Sequence, residues 1–270
     1  MTGQSHITNR LPRFDYHVGF VSAPGGFDCS PQEFLRVAPQ RTGVIQRVLS
    51  IQGYDQTLPI EGRARSFHLI EEAVMALGFS RCQVVGQVGS NWVHCTGTTP
   101  DQIEELCADL GEWANLTFLM AGHCIVMALR DMGARKITVS NGYYRPDWAF
   151  GINRYLEQAG FDICYRGNLV DQGIYPDIDA LQESERATFW DYPVSDATRS
   201  LLAAHRAAPA ADAIVVTGGG IRTLDCIDAI ETMTGKPVVA SDVSLYWAML
   251  RALGAKPPGR DFGSLIRSLS

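Results

Sequence analysis

The sequence predicts an α/β protein of two similar lobes, each built on a roughly four-stranded parallel sheet covered by helices. Three features carry this expectation. Short apolar runs of strand length alternate with amphipathic helical stretches along most of the 270 residues, the pattern of parallel strands buried on both faces. About eight such strands fall into two successions of the same order, more than one ordinary sheet holds. Small, glycine-rich segments, Gly86–Asn91 and Thr217–Ile221, follow a strand in each succession.

Taken in order, His17–Val21 reads as the first strand, SAPGGFDCSP as a turn-rich link, and Thr42–Ile51 as the source of the second strand. Phe67, Ile70, Val74 and Leu77 recur at helical spacing, which predicts one helix over Arg63–Leu77, ended by Gly78 before the strand Arg81–Gln87. Thr99, Pro100 and Asp101 form a helix start for the run through Leu110, and the strand Asn115–Met120 follows. Cys124–Met132 and Trp148–Ala159 are expected helices, alternating with the strands Lys136–Ser140 and Asp162–Arg166. Asp171–Pro193 is an excursion containing a short helix, before the helix Ser195–Ala207 and the strand Ala213–Thr217. Leu224–Met233 (helix), Pro237–Ala240 (strand) and Leu245–Leu253 (helix) complete the pattern. The expected division is 1–120 with the C-terminal segment 242–270 as one lobe, and 121–241 as the other.

Composition narrows the function. Hydrophobic residues at 46% and charged residues at 19%, with a net charge of −6, describe a mildly acidic globular chain. Its only adjacent basic residues are Arg135 and Lys136, so no basic stripe follows a phosphate backbone and nucleic acid is not an expected partner. No apolar run reaches the roughly 18 residues of a membrane span, and the N-terminus lacks a secretory core; the expected location is cytoplasmic. The seven cysteines form no CxxC pair and are expected to be mostly reduced core residues.

The sharpest local signal is TGGGIRT, Thr217–Thr223, where three glycines between a buried strand and a helix let backbone amides converge on an anion. A tight turn without a ligand is the bland alternative, and neither a P-loop nor a GxGxxG spacing is present. In QVGSN, Ser90 and Asn91 are placed to hydrogen-bond a carboxylate, though polar turn formers need no function. NGYY puts Tyr144 just past a strand, as a hydroxyl donor or as ring packing between lobes. His94, Cys95 and His123 lack zinc-like spacing, so no metal is expected, and no GxSxG elbow marks a serine hydrolase.

The segment VVTGGGIRTLDCIDAIETMTGKPVVASDVSLYWAMLRALG closely resembles the aspartate/glutamate racemase superfamily, especially its arylmalonate decarboxylase and maleate cis-trans isomerase branch. The likeness continues through GHCIVMALRDMGARKITVSNGYY and, more weakly, EEAVMALGFSRCQVVGQVGSN. It implies two Rossmann-like lobes with the active site in the inter-lobe cleft, and a cofactor-independent isomerase or lyase. In that superfamily two cysteines face each other across the cleft, and the decarboxylases keep the second only. The matching positions here are Gly89 and Gly218, so both thiols are expected to be missing.

The resemblance further implies carboxylate binding by Gly89, Ser90, Asn91, Tyr144, Gly218, Gly219 and Gly220. Tyr144, His94, Cys95, Glu61, Asp242 and His123 are the candidates for the acid or base, because they adjoin segments brought near the cleft. The expected activity is isomerisation, elimination or decarboxylation of a small carboxylic acid through an enolate-like state, without metal or organic cofactor. Hydrolysis of a small amide or lactone-like acid, or carboxylate binding without catalysis, are the alternatives. A homo-oligomer, as a dimer, is the expected assembly.

Overall fold

A computed structural model describes residues 13–23, 28–51, 60–142, 144–259 and 261–270. The first twelve residues, the glycine pair of the SAPGGFDCSP link and Tyr143 lie outside the described residues. The first sheet begins with β1 (Tyr16–Ser22), followed by α1 (Ser30–Val37), β2 (Thr42–Val48), α2 (Ile60–Arg65), α3 (His68–Phe79) and β3 (Val84–Gln87). A 3-10 segment, Ser90–His94, and α4 (Pro100–Ala114) lead to β4 (Thr117–Met120). Then come α5 (Ala121–Asp131), β5 (Lys136–Asn141), α6 (Pro146–Gln158), β6 (Asp162–Asn168), α7 (Ile178–Thr188) and α8 (Val194–Ala207). The chain closes with β7 (Ala213–Thr217), α9 (Ile227–Thr234), β8 (Val238–Ala240), α10 (Ser241–Leu253) and α11 (Gly263–Arg267).

These strands form two four-stranded sheets, ordered β2-β1-β3-β4 and β6-β5-β7-β8, and every pairing is parallel. Each of the strands read from the sequence is present, and the two sheets repeat one topology. The inner strands carry the apolar runs that predicted them: AIVVT of β7 and VVGQ of β3 are buried throughout. The edge strand β2 differs, buried only at Thr42 and Gly43 and exposed from Ile45 onward.

In each sheet the strand order reverses beside its first strand, between β1 and β3 and between β5 and β7. Ligands of open parallel sheets bind beyond the carboxyl ends of strands at such a switch point. The loops that leave β3, β5 and β7 there carry Gly89–Asn91, Tyr144 and Gly218–Gly220.

Helix starts follow local chemistry. At α4 the Thr99 side chain accepts from Gln102 N while Gln102 Oε1 accepts from Thr99 N at 2.9 Å, a complete capping box. The single helix expected over Arg63–Leu77 is instead two, α2 and α3, broken at Ser66 and Phe67. Ser66 Oγ donates to Gly62 O at 3.1 Å and buried Phe67 packs against the Trp92 ring, so side-chain bonding and packing displace helical continuation. Helix α10 begins at Ser241, four residues before its expected start. Helix α1 is not among the expected elements, and its first two residues, Ser30 and Pro31, fall in the stretch read as a turn-rich link.

Against the first sheet, α10 packs so closely that a Cβ on Gly86 of β3 would meet Met249 Sδ at 2.8 Å. No helix among the described residues is long and apolar enough to cross a membrane. The seven cysteines are all free, with Cys82, Cys95, Cys124 and Cys226 buried.

Candidate functional site

The two glycine turns meet. Gly218 N donates to Ser90 Oγ at 3.0 Å, across 128 residues of chain and buried from solvent. A Cβ on Gly219 would touch only Val88 Cγ1, at 3.8 Å, so the second turn faces the first with little between them. Gly89 and Gly218 have φ of 96° and 95°, a backbone region that side chains disfavour. At Gly218 a Cβ would also sit 3.1 Å from Gly142 Cα, so this turn is shaped for glycine on two counts. Close approach is built from below as well: any Cβ on Gly122, at the start of α5, would strike the Ser90 carbonyl.

Only part of the triplet is open to a ligand. The Gly218 amide is committed to Ser90, whereas the amides of Gly219 and Gly220 donate to no described residue. The Gly220 carbonyl accepts from Tyr192 N at 3.3 Å, which lays the end of the 171–193 excursion along the turn. Thr217 Oγ1 donates to Asn141 Oδ1 at 3.1 Å, and Gly142 N to Thr217 O at 2.9 Å, locking the ends of β5 and β7 together. Tyr144, half-buried, follows directly.

The remaining sequence candidates have separate surroundings. Asp242 is buried at the start of α10, where its carboxylate accepts from Thr223 N at 3.0 Å and Thr223 Oγ1 at 3.1 Å. Glu61 is exposed on the first turn of α2. Cys95 Sγ donates to Trp92 O at 3.2 Å, and burial pushes its thiol up to about 12, keeping it protonated near neutral pH. His94 stacks on α6 at Gly151, where any Cβ would collide with its ring. Burial and then the Arg63 charge hold His94 down at about 4, so it is a neutral imidazole. His123 shares a hydrogen bond of 2.9 Å with the Tyr155 hydroxyl, away from any metal-like grouping. Among the described residues no three His, Cys, Asp or Glu side chains gather with metal-holding geometry.

Sequence reasoning missed three side chains here. Arg63, 5% exposed, donates from Nη1 to Asn91 Oδ1 at 2.8 Å. Its guanidinium lies 5.1 Å from the Trp92 ring centroid and 4.4 Å from that of Trp148. Arg222, two residues past the glycine triplet, crosses to the first lobe and pairs with Asp28 at 3.0 Å and Glu33 at 3.4 Å. Tyr246 of α10 donates to the same Glu33 carboxylate at 2.9 Å. The only textual hint of these was the isolated arginine in TGGGIRT.

A model of the arylmalonate decarboxylase family matches residues 49–266, from just past β2 into the last helix. The chain belongs to the arylmalonate decarboxylase family. Arylmalonate decarboxylase of Bordetella bronchiseptica is 26% identical over 145 residues, covering 50% of this chain and 51% of that protein; the match spans about half of the relative. A liganded arylmalonate decarboxylase bearing Gly-to-Cys and Cys-to-Ser replacements superimposes with a TM-score of 0.75 at 21% identity, covering 93% of this chain and 98% of that one. Maleate isomerase Iso from Pseudomonas putida S16 gives a TM-score of 0.76 at 17% identity, over 94% and 99%. Both are likenesses of fold alone, over nearly the whole chain.

Proposed function

We propose that the protein is an enzyme that binds a small carboxylic acid between its lobes and carries it through an enolate-like state, by isomerisation, elimination or decarboxylation, without metal or organic cofactor. The bond between Ser90 Oγ and the Gly218 amide carries this reading, because it sets two glycine turns at sheet switch points face to face. Membership of the arylmalonate decarboxylase family supports it. Amides of Gly219 and Gly220, with Asn91 and Tyr144, supply donors where negative charge grows, and such donors are worth most in a site that excludes water.

The resemblance assigns the family's thiols to Gly89 and Gly218, so protonation passes to another group. Asp242 is tied to Thr223, Cys95 to a carbonyl and His123 to the Tyr155 hydroxyl, His94 is a buried neutral imidazole against Gly151 and Glu61 is exposed on α2, which leaves Tyr144 as our assigned proton donor. The same reading makes the chain a cytoplasmic homo-oligomer, with 1–120 and 242–270 forming one lobe and 121–241 the other.

Proton NMR in deuterated water, against maleate, malonate derivatives, hydroxy acids and N-acyl amino acids, tests the reading. Cis-trans conversion, loss of carbon dioxide or α-deuteration supports it, and Tyr144→Phe then lowers kcat by about 10²- to 10⁴-fold. Release of an amine or alcohol would reassign the protein as a hydrolase. Tight binding with no turnover would make it a carboxylate-binding protein.

A further inference from the structure

We propose that Glu185 is a positioning residue: through the Tyr192 hydroxyl it seats the end of the 171–193 excursion on Gly220 and so holds the glycine turn in its working geometry. The inference rests on the enolate reading above and adds to it the side chains that keep the second-lobe donors in place.

Gly220 is shaped by what lies on it. A Cβ there would strike the Trp190 carbonyl and stand 3.2 Å from Tyr192 Cε2. Its own carbonyl accepts from Tyr192 N at 3.3 Å. Glycine has wide backbone freedom unless it is held, and this strap grips Gly220 at its α-carbon and at its carbonyl. The neighbouring amides, which the proposed reaction needs in fixed directions, are held with it. The Tyr144 phenol, our assigned proton donor, lies within electrostatic reach of the Tyr192 hydroxyl, so the strap borders both halves of that chemistry.

The strap is itself held under constraint. Phe189 and Trp190 have φ of 52° and 61°, a region that residues with side chains keep only where their surroundings impose it. One such residue suffices to end α7, and the second lies in the stretch that meets the turn. Phe189 is exposed, so its own burial does not impose the conformation. The Tyr192 hydroxyl, however, donates to the Glu185 carboxyl, and the two residues are 4% and 3% exposed. Trp190 N and Asp191 N add turn bonds to Glu185 O and Thr188 O, each of 3.1 Å. Glu185 shares the buried face of α7 with Leu181. For packing alone a second leucine would serve there better than an acid withdrawn from water, so the carboxyl's role is to hold the hydroxyl.

Hydrogen exchange read by mass spectrometry, and conversion of maleate and of phenylmalonate followed by proton NMR, are compared in the full-length parent, Tyr192→Phe, Glu185→Leu and Glu185→Gln. Removing the donor or the acceptor should speed exchange of the 218–221 amides about tenfold and lower kcat about 10- to 100-fold, with KM within about twofold of the parent. A misplaced donor costs the transition state more than the bound substrate. Glu185→Gln keeps an acceptor and should retain most of kcat. A merely structural pair would lower the urea midpoint and leave the kcat of folded protein untouched, and an unchanged kcat in folded Tyr192→Phe overturns the proposal. If the parent converts neither acid, the enolate reading falls and the positioning role with it, whereas faster exchange in Tyr192→Phe would still show that the pair seats the strap. Should Tyr192→Phe fail to fold, Glu185→Leu, which keeps the ring and fills the acid's space, decides the matter.

Discussion

At the scale of single residues, the most consequential is Glu33. Burial, and then the charge of Asp242, raise its carboxyl to about 7, against the pull of Arg222, the Tyr246 hydroxyl and Arg36. A carboxyl raised in the folded state favours folding fully below its unfolded value and loses that contribution as pH climbs through 7. Glu185, buried against the Tyr192 hydroxyl, is raised to about 7 in the same way. Thermal melts between pH 6 and 8 should therefore show declining stability, partly flattened by Glu33→Gln and further by adding Glu185→Gln. A slope unchanged in the double variant would place the proton uptake elsewhere. The sequence pointed to Ser90, Asn91 and the glycine triplet because strand ends and turn glycines are local signals. It was silent on Arg63 and Trp92, because Arg63 precedes Asn91 by 28 residues and meets it only after the chain folds.

At the scale of elements, strands were the most legible feature, since an inner parallel strand is an uninterrupted apolar run. Their ends moved by only a few residues, as with Pro237–Ala240, which is Val238–Ala240 in the structure. Helix limits were harder wherever tertiary bonds intervene. Asp242, in the first turn of α10, accepts from Thr223, a residue of another loop, and no local pattern encodes that. Where the start is encoded locally it was readable, as at Thr99. Thr99→Ala removes the side-chain acceptor of the α4 capping box and should cost about 1 kcal/mol in urea denaturation. A Thr99→Ser variant that keeps the acceptor should recover most of it.

Across the whole molecule, the lobes are joined by a buried charge cluster as well as by the Ser90–Gly218 bond. Arg222 from the second sheet's loop reaches Asp28, Ser30 and Glu33 of the first, and its side chain is 9% exposed. Removing one partner of a buried pair strands the others, so Arg222→Ala should destabilise by about 3–5 kcal/mol, measured by urea unfolding. A loss under 1 kcal/mol would mean that water reaches the carboxylates. The two-lobe plan was legible from the repeated strand order, whereas this cross-lobe tie rests on one arginine whose partners lie more than 180 residues away. The packing of α10 on β3 has a consequence for how the protein is made. Gly86 finds its neighbours Leu245 and Met249 only after α10 has left the ribosome. Until then the nascent first sheet keeps a greasy face open, so a ribosome stalled before Ser241 presents a client for chaperones and proteases, and not half of a working protein.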